Sequence, residues 1–125
     1  MYELKIIVQF GAAHQLKDTG GECENLHGHN WKIEVFVAGE RLDKNGLLID
    51  FKILKQEAKK IINELDHKFL NELEWFKDMN PTSENISRLI YDLVGQKINT
   101  PDIRVSRVTT WESDTACATY SGSTI

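Results

Sequence analysis

Three of the four histidines in the chain fall in one sixteen-residue stretch: His14, then His27 and His29 in Cys23-Glu24-Asn25-Leu26-His27-Gly28-His29. A His-x-His pair on an extended segment points both imidazoles to one side, because strand side chains alternate with period two. A third His from a preceding strand completes a facial set of three nitrogens. Three His ligands leave one position open on a tetrahedral zinc, the arrangement of a catalytic site rather than a structural one. Zn²⁺ is therefore the expected cofactor, with His14, His27 and His29 as its ligands. Cys23 lies four residues ahead of the pair, and the fourth histidine stands in Asp66-His67; both are candidate proton carriers. Taken singly, each feature has a plainer explanation: a buried His held by hydrogen bonds, an inert thiol, a His at a helix end. The combination outweighs them, because it gathers every His and one of the two Cys into one constellation.

These residues need strands to carry them. Tyr2, Leu4, Ile6, Val8 and Phe10 alternate with Glu3, Lys5, Ile7 and Gln9, predicting a strand with one apolar face. His14 shares the parity of that face, provided no bulge intervenes at Gly11-Ala12-Ala13. A polar loop with Gly20-Gly21 leads to a second strand, about His27 to Ala38, in which Trp31, Ile33, Val35 and Val37 share parity with the two histidines. Asn45-Gly46 marks a turn. The period then changes. Phe51, Leu54, Ala58, Ile61 and Leu65 recur at helical steps behind a capping Asp50. Thr82, Ser83 and Glu84 stand at the start of a second helix with the stripe Ile86, Leu89, Ile90, Leu93 and Val94, stopped at Asn99-Thr100-Pro101. Two more strands are expected, about Ile103 to Trp111 and Thr115 to Tyr120, separated by Glu112-Ser113-Asp114. Cys117, between two alanines, reads as packing.

The order ββααββ predicts an α+β fold, a four-stranded antiparallel sheet with two helices on one face. Such a sheet has two open edges, and Ile7 adds an apolar residue to the polar face. Joining edges between subunits would close the sheet, so a homo-oligomer is expected. At 125 residues the chain is one domain, residues 1–125. Its net charge of −4, without a basic run, excludes a nucleic-acid partner. No apolar run is long enough for a membrane span. Met1 leads straight into a strand pattern, so no signal peptide is expected, and two distant free thiols fit the cytoplasm.

The chain resembles the 6-pyruvoyltetrahydropterin synthase / 6-carboxytetrahydropterin synthase family over almost its whole length. The likeness is carried by Phe10-Gly11-Ala12-Ala13-His14, by Cys23 through His29, by Ile49-Asp50-Phe51, Leu65-Asp66-His67 and Leu70-Asn71, by Pro81-Thr82-Ser83-Glu84-Asn85, and by Glu112. The resemblance implies the tunnelling fold, in which three subunits close a twelve-stranded barrel, two trimers stack into a hexamer, and active sites lie between subunits. The three-residue gap between Cys23 and His27 looks like that of 6-carboxytetrahydropterin synthase. That activity converts 7,8-dihydroneopterin triphosphate to 6-carboxy-5,6,7,8-tetrahydropterin, acetaldehyde and triphosphate, on the way to queuosine and other 7-deazapurines. Glu24 creates an overlapping Glu-x-x-His-Gly-His pattern, found in relatives that cleave the side chain to 6-hydroxymethyl-7,8-dihydropterin for folate. Gly11 departs from the Ser or Asp often found there.

On this reading Cys23 is the general base, its thiol drawn toward working pH by the nearby metal. Asp66 orients His67 in a second proton relay. Glu112 anchors the pterin, whose exocyclic amine and ring N–H a carboxylate can accept in parallel; without the resemblance it reads as a turn carboxylate. Thr82, Ser83 and Glu84 cap their helix first and contact pterin or anion second. The competing readings are folate-side cleavage, alone or as a second activity through Glu24, a non-enzymatic zinc-binding structural module, and a small metallohydrolase with Glu24 as base. The partner is a small pterin triphosphate.

Overall fold

The computed structural model describes residues 1–17 and 25–122. Strand β1 (Tyr2–His14) pairs antiparallel with β2 (His27–Gly39) along its whole length, from Tyr2 opposite Gly39 to His14 opposite His27. No bulge interrupts Gly11-Ala12-Ala13, so His14 keeps the parity of the apolar face as the alternation requires. The turn that follows β2 is built on Asp43, whose carboxylate accepts from the Asn45 and Leu47 N–H groups at 2.8 and 3.1 Å. Gly46 supplies the positive φ of 80° that the turn needs.

Helix α1 (Phe51–Ile62) starts at Asp50, whose side chain accepts from Lys52 N–H. It buries Leu54, Ala58 and Ile62; Phe51, expected in its stripe, stands at the first helical position and is half exposed. Helix α2 (Ser83–Ile98) is capped by Thr82, which accepts from Asn85 N–H, and buries Ile86, Ile90, Val94 and Ile98. Buried Ser87 is fully satisfied: its hydroxyl lies 2.7 Å from Thr110 Oγ1 and donates to Ala118 O at 2.9 Å.

Strand β4 (Ile103–Ser113) pairs with β2, and β5 (Ala116–Tyr120) pairs with β4. The sheet differs from the expected four-stranded antiparallel one. A two-residue strand β3 (Lys68–Phe69) pairs parallel with Ala12 and Ala13, giving a mixed five-stranded sheet in the order β3-β1-β2-β4-β5. Two residues are too few for alternation to reveal them. Between β3 and α2 the expected loop contains two 3₁₀ turns, Leu70–Glu72 and Glu74–Phe76, that bury Leu70 and Phe76.

Both helices pack on one face of the sheet. Ile6, Val8, Phe10, Trp31, Ile33, Val35, Val37, Val105 and Val108 meet the buried stripes of α1 and α2 in a single core. The helix-free face is polar and cross-linked. Lys5 Nζ lies 3.0 Å from Glu34, Trp111 Nε1 donates to Glu34 at 2.7 Å, and Arg107 lies 3.1 Å from Glu3 with its guanidinium 3.9 Å from the Phe36 ring centre. Cys117 is exposed on this face beside Trp111, correcting the expectation that it packs: in β5 it is Ala118 and Tyr120 that share the helix-facing side. Among the described residues no helix is long and apolar enough to cross a membrane.

Candidate metal centre

Register brings the three histidines together. His14 closes β1 opposite His27, the first residue of β2, and Ala12 stands opposite His29. Trp31 forms the floor, with its ring centroid 5.0 Å from that of His14 and 5.3 Å from that of His29. His14 is almost completely buried, while His29 and Glu112 remain partly open to solvent. The centre therefore has a closed floor and an accessible mouth.

The ring nitrogens divide into two sets. His14 Nδ1 lies 2.8 Å from the Pro81 carbonyl and His27 Nδ1 lies 2.6 Å from the Asn25 carbonyl. A carbonyl only accepts, so Nδ1 carries the proton in both neutral rings and Nε2 is left as a lone pair. Yet His14 Nε2 faces His27 Nε2 at 2.9 Å. Glu112 Oε1 stands 3.1 Å from both His14 Nε2 and His29 Nε2. The contact to His29 is off the hydrogen-bonding direction, and among the described residues His29 Nε2 is buried without a hydrogen-bond partner. A buried polar atom in that condition costs about 1–3 kcal/mol.

The four ligand atoms of His14, His27, His29 and Glu112 all lie within 4.8 Å of one another. Tetrahedral zinc with bonds near 2.0–2.1 Å sets adjacent ligand atoms about 3.3 Å apart, and the three contacts at 2.9, 3.1 and 3.1 Å lie close to that spacing. Acceptors converging on acceptors are satisfied by a cation. The His29 imidazole is held below its ordinary pKa, by burial first, with the Glu112 charge opposing and the neighbouring His14 and His27 assisting. That shift favours the neutral, metal-binding form.

Glu112 was expected in a turn. The structure extends β4 through Ser113, and Glu112 keeps the parity of buried Val108 and Thr110, which carries it to the histidines. Continuing that alternation two residues past Thr110 was the available signal.

Asp66 and His67 form a separate pair outside this four-residue group. Asp66 Oδ1 accepts from Gly11 N–H at 2.9 Å, and Oδ2 lies 3.0 Å from His67 Nδ1. The Gly11 N–H chiefly holds the Asp66 carboxyl below its ordinary value; burial opposes it, and the His67 contacts assist. His67 has a left-handed φ of 59°, and its ring is 87% exposed. Asp66 thus contacts the imidazole of His67, whose ring stands in solvent. A Cβ at Gly11 would meet only Asn30 Oδ1, at 3.5 Å, so the glycine there is not required by space. Thr82 is the helix cap as expected, Ser83 is partly buried and Glu84 exposed. Cys23 and Glu24 lie outside the described residues.

The family described as 6-pyruvoyl tetrahydropterin synthase matches residues 3–123. The 6-carboxy-5,6,7,8-tetrahydropterin synthase of Bacillus subtilis is 34% identical over 104 residues, covering 79% of this chain and 69% of that protein. The dihydroneopterin monophosphate aldolase of Pyrococcus furiosus is 39% identical over 106 residues, 84% of each chain. The solved structure of Caenorhabditis elegans 6-pyruvoyl tetrahydropterin synthase superposes with a TM-score of 0.88 at 30% identity, covering 98% of this chain and 96% of that one. The chain belongs to the 6-pyruvoyl tetrahydropterin synthase family.

Proposed function

We propose that this chain is a zinc-dependent 6-carboxy-5,6,7,8-tetrahydropterin synthase acting on 7,8-dihydroneopterin triphosphate. The convergence of the His14, His27 and His29 imidazoles, with the Nε2 lone pairs of His14 and His27 facing each other, carries the metal part of this reading. Kinship with the Bacillus subtilis synthase and the three-residue gap from Cys23 to His27 support the substrate and product. Zn²⁺ bound there supplies Lewis acidity toward the substrate's side-chain hydroxyls.

The protein's own residues do the rest. The Pro81 and Asn25 carbonyls keep His14 and His27 in the tautomer that offers Nε2. Cys23 removes a proton from the side-chain carbon. Asp66 holds His67 through Nδ1, leaving Nε2 free to carry a second proton. Because the His67 ring is exposed and lies outside the four-residue group, it serves a site completed by another subunit. A homohexamer built as a dimer of trimers would provide that arrangement, and the solvent-facing Ile7 is placed to be covered by it. Glu112 accepts the pterin amine and ring N–H from its place beside the histidines, and Thr82, Ser83 and Glu84 contribute contacts from the start of α2.

A second reading has its own support. The Pyrococcus furiosus aldolase is 39% identical, and Glu24 provides a carboxylate in place of the thiol. On that reading the chain cleaves the side chain of a dihydroneopterin phosphate to 6-hydroxymethyl-7,8-dihydropterin. Incubation of zinc-loaded protein with 7,8-dihydroneopterin triphosphate, and in parallel the monophosphate, decides between them by mass spectrometry. 6-Carboxytetrahydropterin with acetaldehyde is expected; 6-hydroxymethyl-7,8-dihydropterin as sole product would replace the first reading with the second.

A further inference from the structure

Beyond His14 the chain leaves β2, yet its backbone groups remain paired. Asn71 Oδ1 accepts from Gln15 N–H at 2.8 Å, and Asn71 Nδ2 donates to Gln15 O at 2.7 Å. Asn80 does the same for Lys17, accepting from its N–H and donating to its carbonyl, both at 2.9 Å. Each carboxamide offers one residue the donor and the acceptor that a neighbouring strand would offer. Gln15 and Lys17 are two apart, so their backbone groups face the same edge of an extended chain. On β1 that pairing begins with β3, where Lys68 and Phe69 match Ala12 and Ala13. The two asparagines take up the edge where β3 ends.

His14 lies between these anchors, and its Nδ1 meets the Pro81 carbonyl, the residue next to Asn80. Asn80 is itself fixed, since its carbonyl accepts from Thr82 N–H at 2.9 Å and from Asn85 Nδ2 at 2.8 Å at the start of α2. Without the clamps His14 would be the last residue of a strand, where pairing frays.

We propose that Asn71 and Asn80 are positioning residues of the metal centre. By standing in for a missing strand they hold His14 against Pro81, and so aim its Nε2 at His27, His29 and Glu112. The proposal rests on the metal reading above. Loss of an outer-shell partner lowers metal affinity about 10–100-fold. Asn71→Ala and Asn80→Ala are each expected to weaken Zn²⁺ binding about tenfold, measured on the full chain by competition with a chromophoric chelator. Asn71→Ser and Asn80→Ser, milder changes, shift it the same way and serve if an alanine variant does not fold. The control is Asn99→Ala. Asn99 Oδ1 accepts from Val105 N–H at 2.7 Å at the other end of the sixteen-residue α2, about 24 Å along the helix. That variant lowers the unfolding midpoint and leaves affinity unchanged. Affinities of the folded Asn71 and Asn80 variants within twofold of wild type would overturn the proposal alone; wild-type protein that takes up no Zn²⁺ would overturn the metal reading and the proposal with it.

Discussion

The histidine cluster and the helix-free face of the sheet both gather polar groups, on the same strands and only a few residues apart, but they satisfy them in opposite ways. On the helix-free face both carboxylates are matched to donors: Glu34 takes Lys5 and the Trp111 N–H, and Glu3 takes Arg107 and the Ser106 hydroxyl. At the cluster, acceptors face acceptors at 2.9 and 3.1 Å, and His29 Nε2 has no partner among the described residues. A satisfied network holds strands in place and asks for nothing more. An unsatisfied one persists because the strands hold it and something outside the chain completes it.

The contrast can be broken most forcefully at His29. His29→Ala should lower Zn²⁺ affinity by well over the ~100-fold cost of losing an outer-shell partner. It should leave the metal-free unfolding midpoint within about 2 °C of wild type, because it removes a group that was itself unsatisfied. Metal titration and thermal melts of one preparation check both halves; a sharply lower metal-free midpoint would mean that the cluster also holds the fold. Next in size, Cys23→Ala should reduce formation of 6-carboxytetrahydropterin about 10²–10⁴-fold with zinc content unchanged, read by product assay and metal analysis. On the other side of the comparison, Trp111→Phe removes the N–H bonded to Glu34. It should cost about 1 kcal/mol, or roughly 3–5 °C in midpoint, with zinc affinity untouched.

The smallest effect is a pH dependence. Burial pushes the Glu34 carboxyl up, but the Trp111 N–H and Lys5 outweigh it and hold the group below its ordinary value. Glu3 behaves alike, with burial opposed by Arg107 and Ser106. A carboxyl lowered in the folded state contributes stability that is present above its unfolded value, near 4.5, and is lost as pH falls through the folded one. Wild-type stability should therefore decline below that pH more steeply than that of Glu34→Gln, as denaturant titrations across the acid range would reveal.

Much of this was legible in the residues, because the two strands that carry the histidines obey a strict alternation. Ile6, Val8, Phe10 and Ala12 on β1, and Trp31, Ile33, Val35 and Val37 on β2, are all buried, and the histidines fall on the same parities. The caps at Asp50 and Thr82 were also readable, since each acts on residues two or three positions away. What escaped depends on distant contacts. β3 is two residues paired to a strand more than fifty positions earlier. The Asn71 and Asn80 clamps span 56 and 63 residues, and nothing local distinguishes those asparagines from loop residues. The place of Glu112 beside the histidines escaped because Glu112-Ser113-Asp114 reads as a turn, whereas pairing with β5 extends the strand through Ser113, past an irregularity after Trp111.

The uninterrupted pairing of β1 with β2 has a consequence for how this chain can vary. It makes strand length a chemical quantity. One residue inserted between Phe10 and His14 would turn the imidazole to the opposite side of the sheet. Two would restore the side but carry the ring about 6.6 Å beyond its neighbours. Side chains on the outward face can be exchanged with little effect on the ligand set, but the count of residues from Phe10 to His14 cannot drift. In this protein the spacing that leads to His14 is constrained as a whole number of residues.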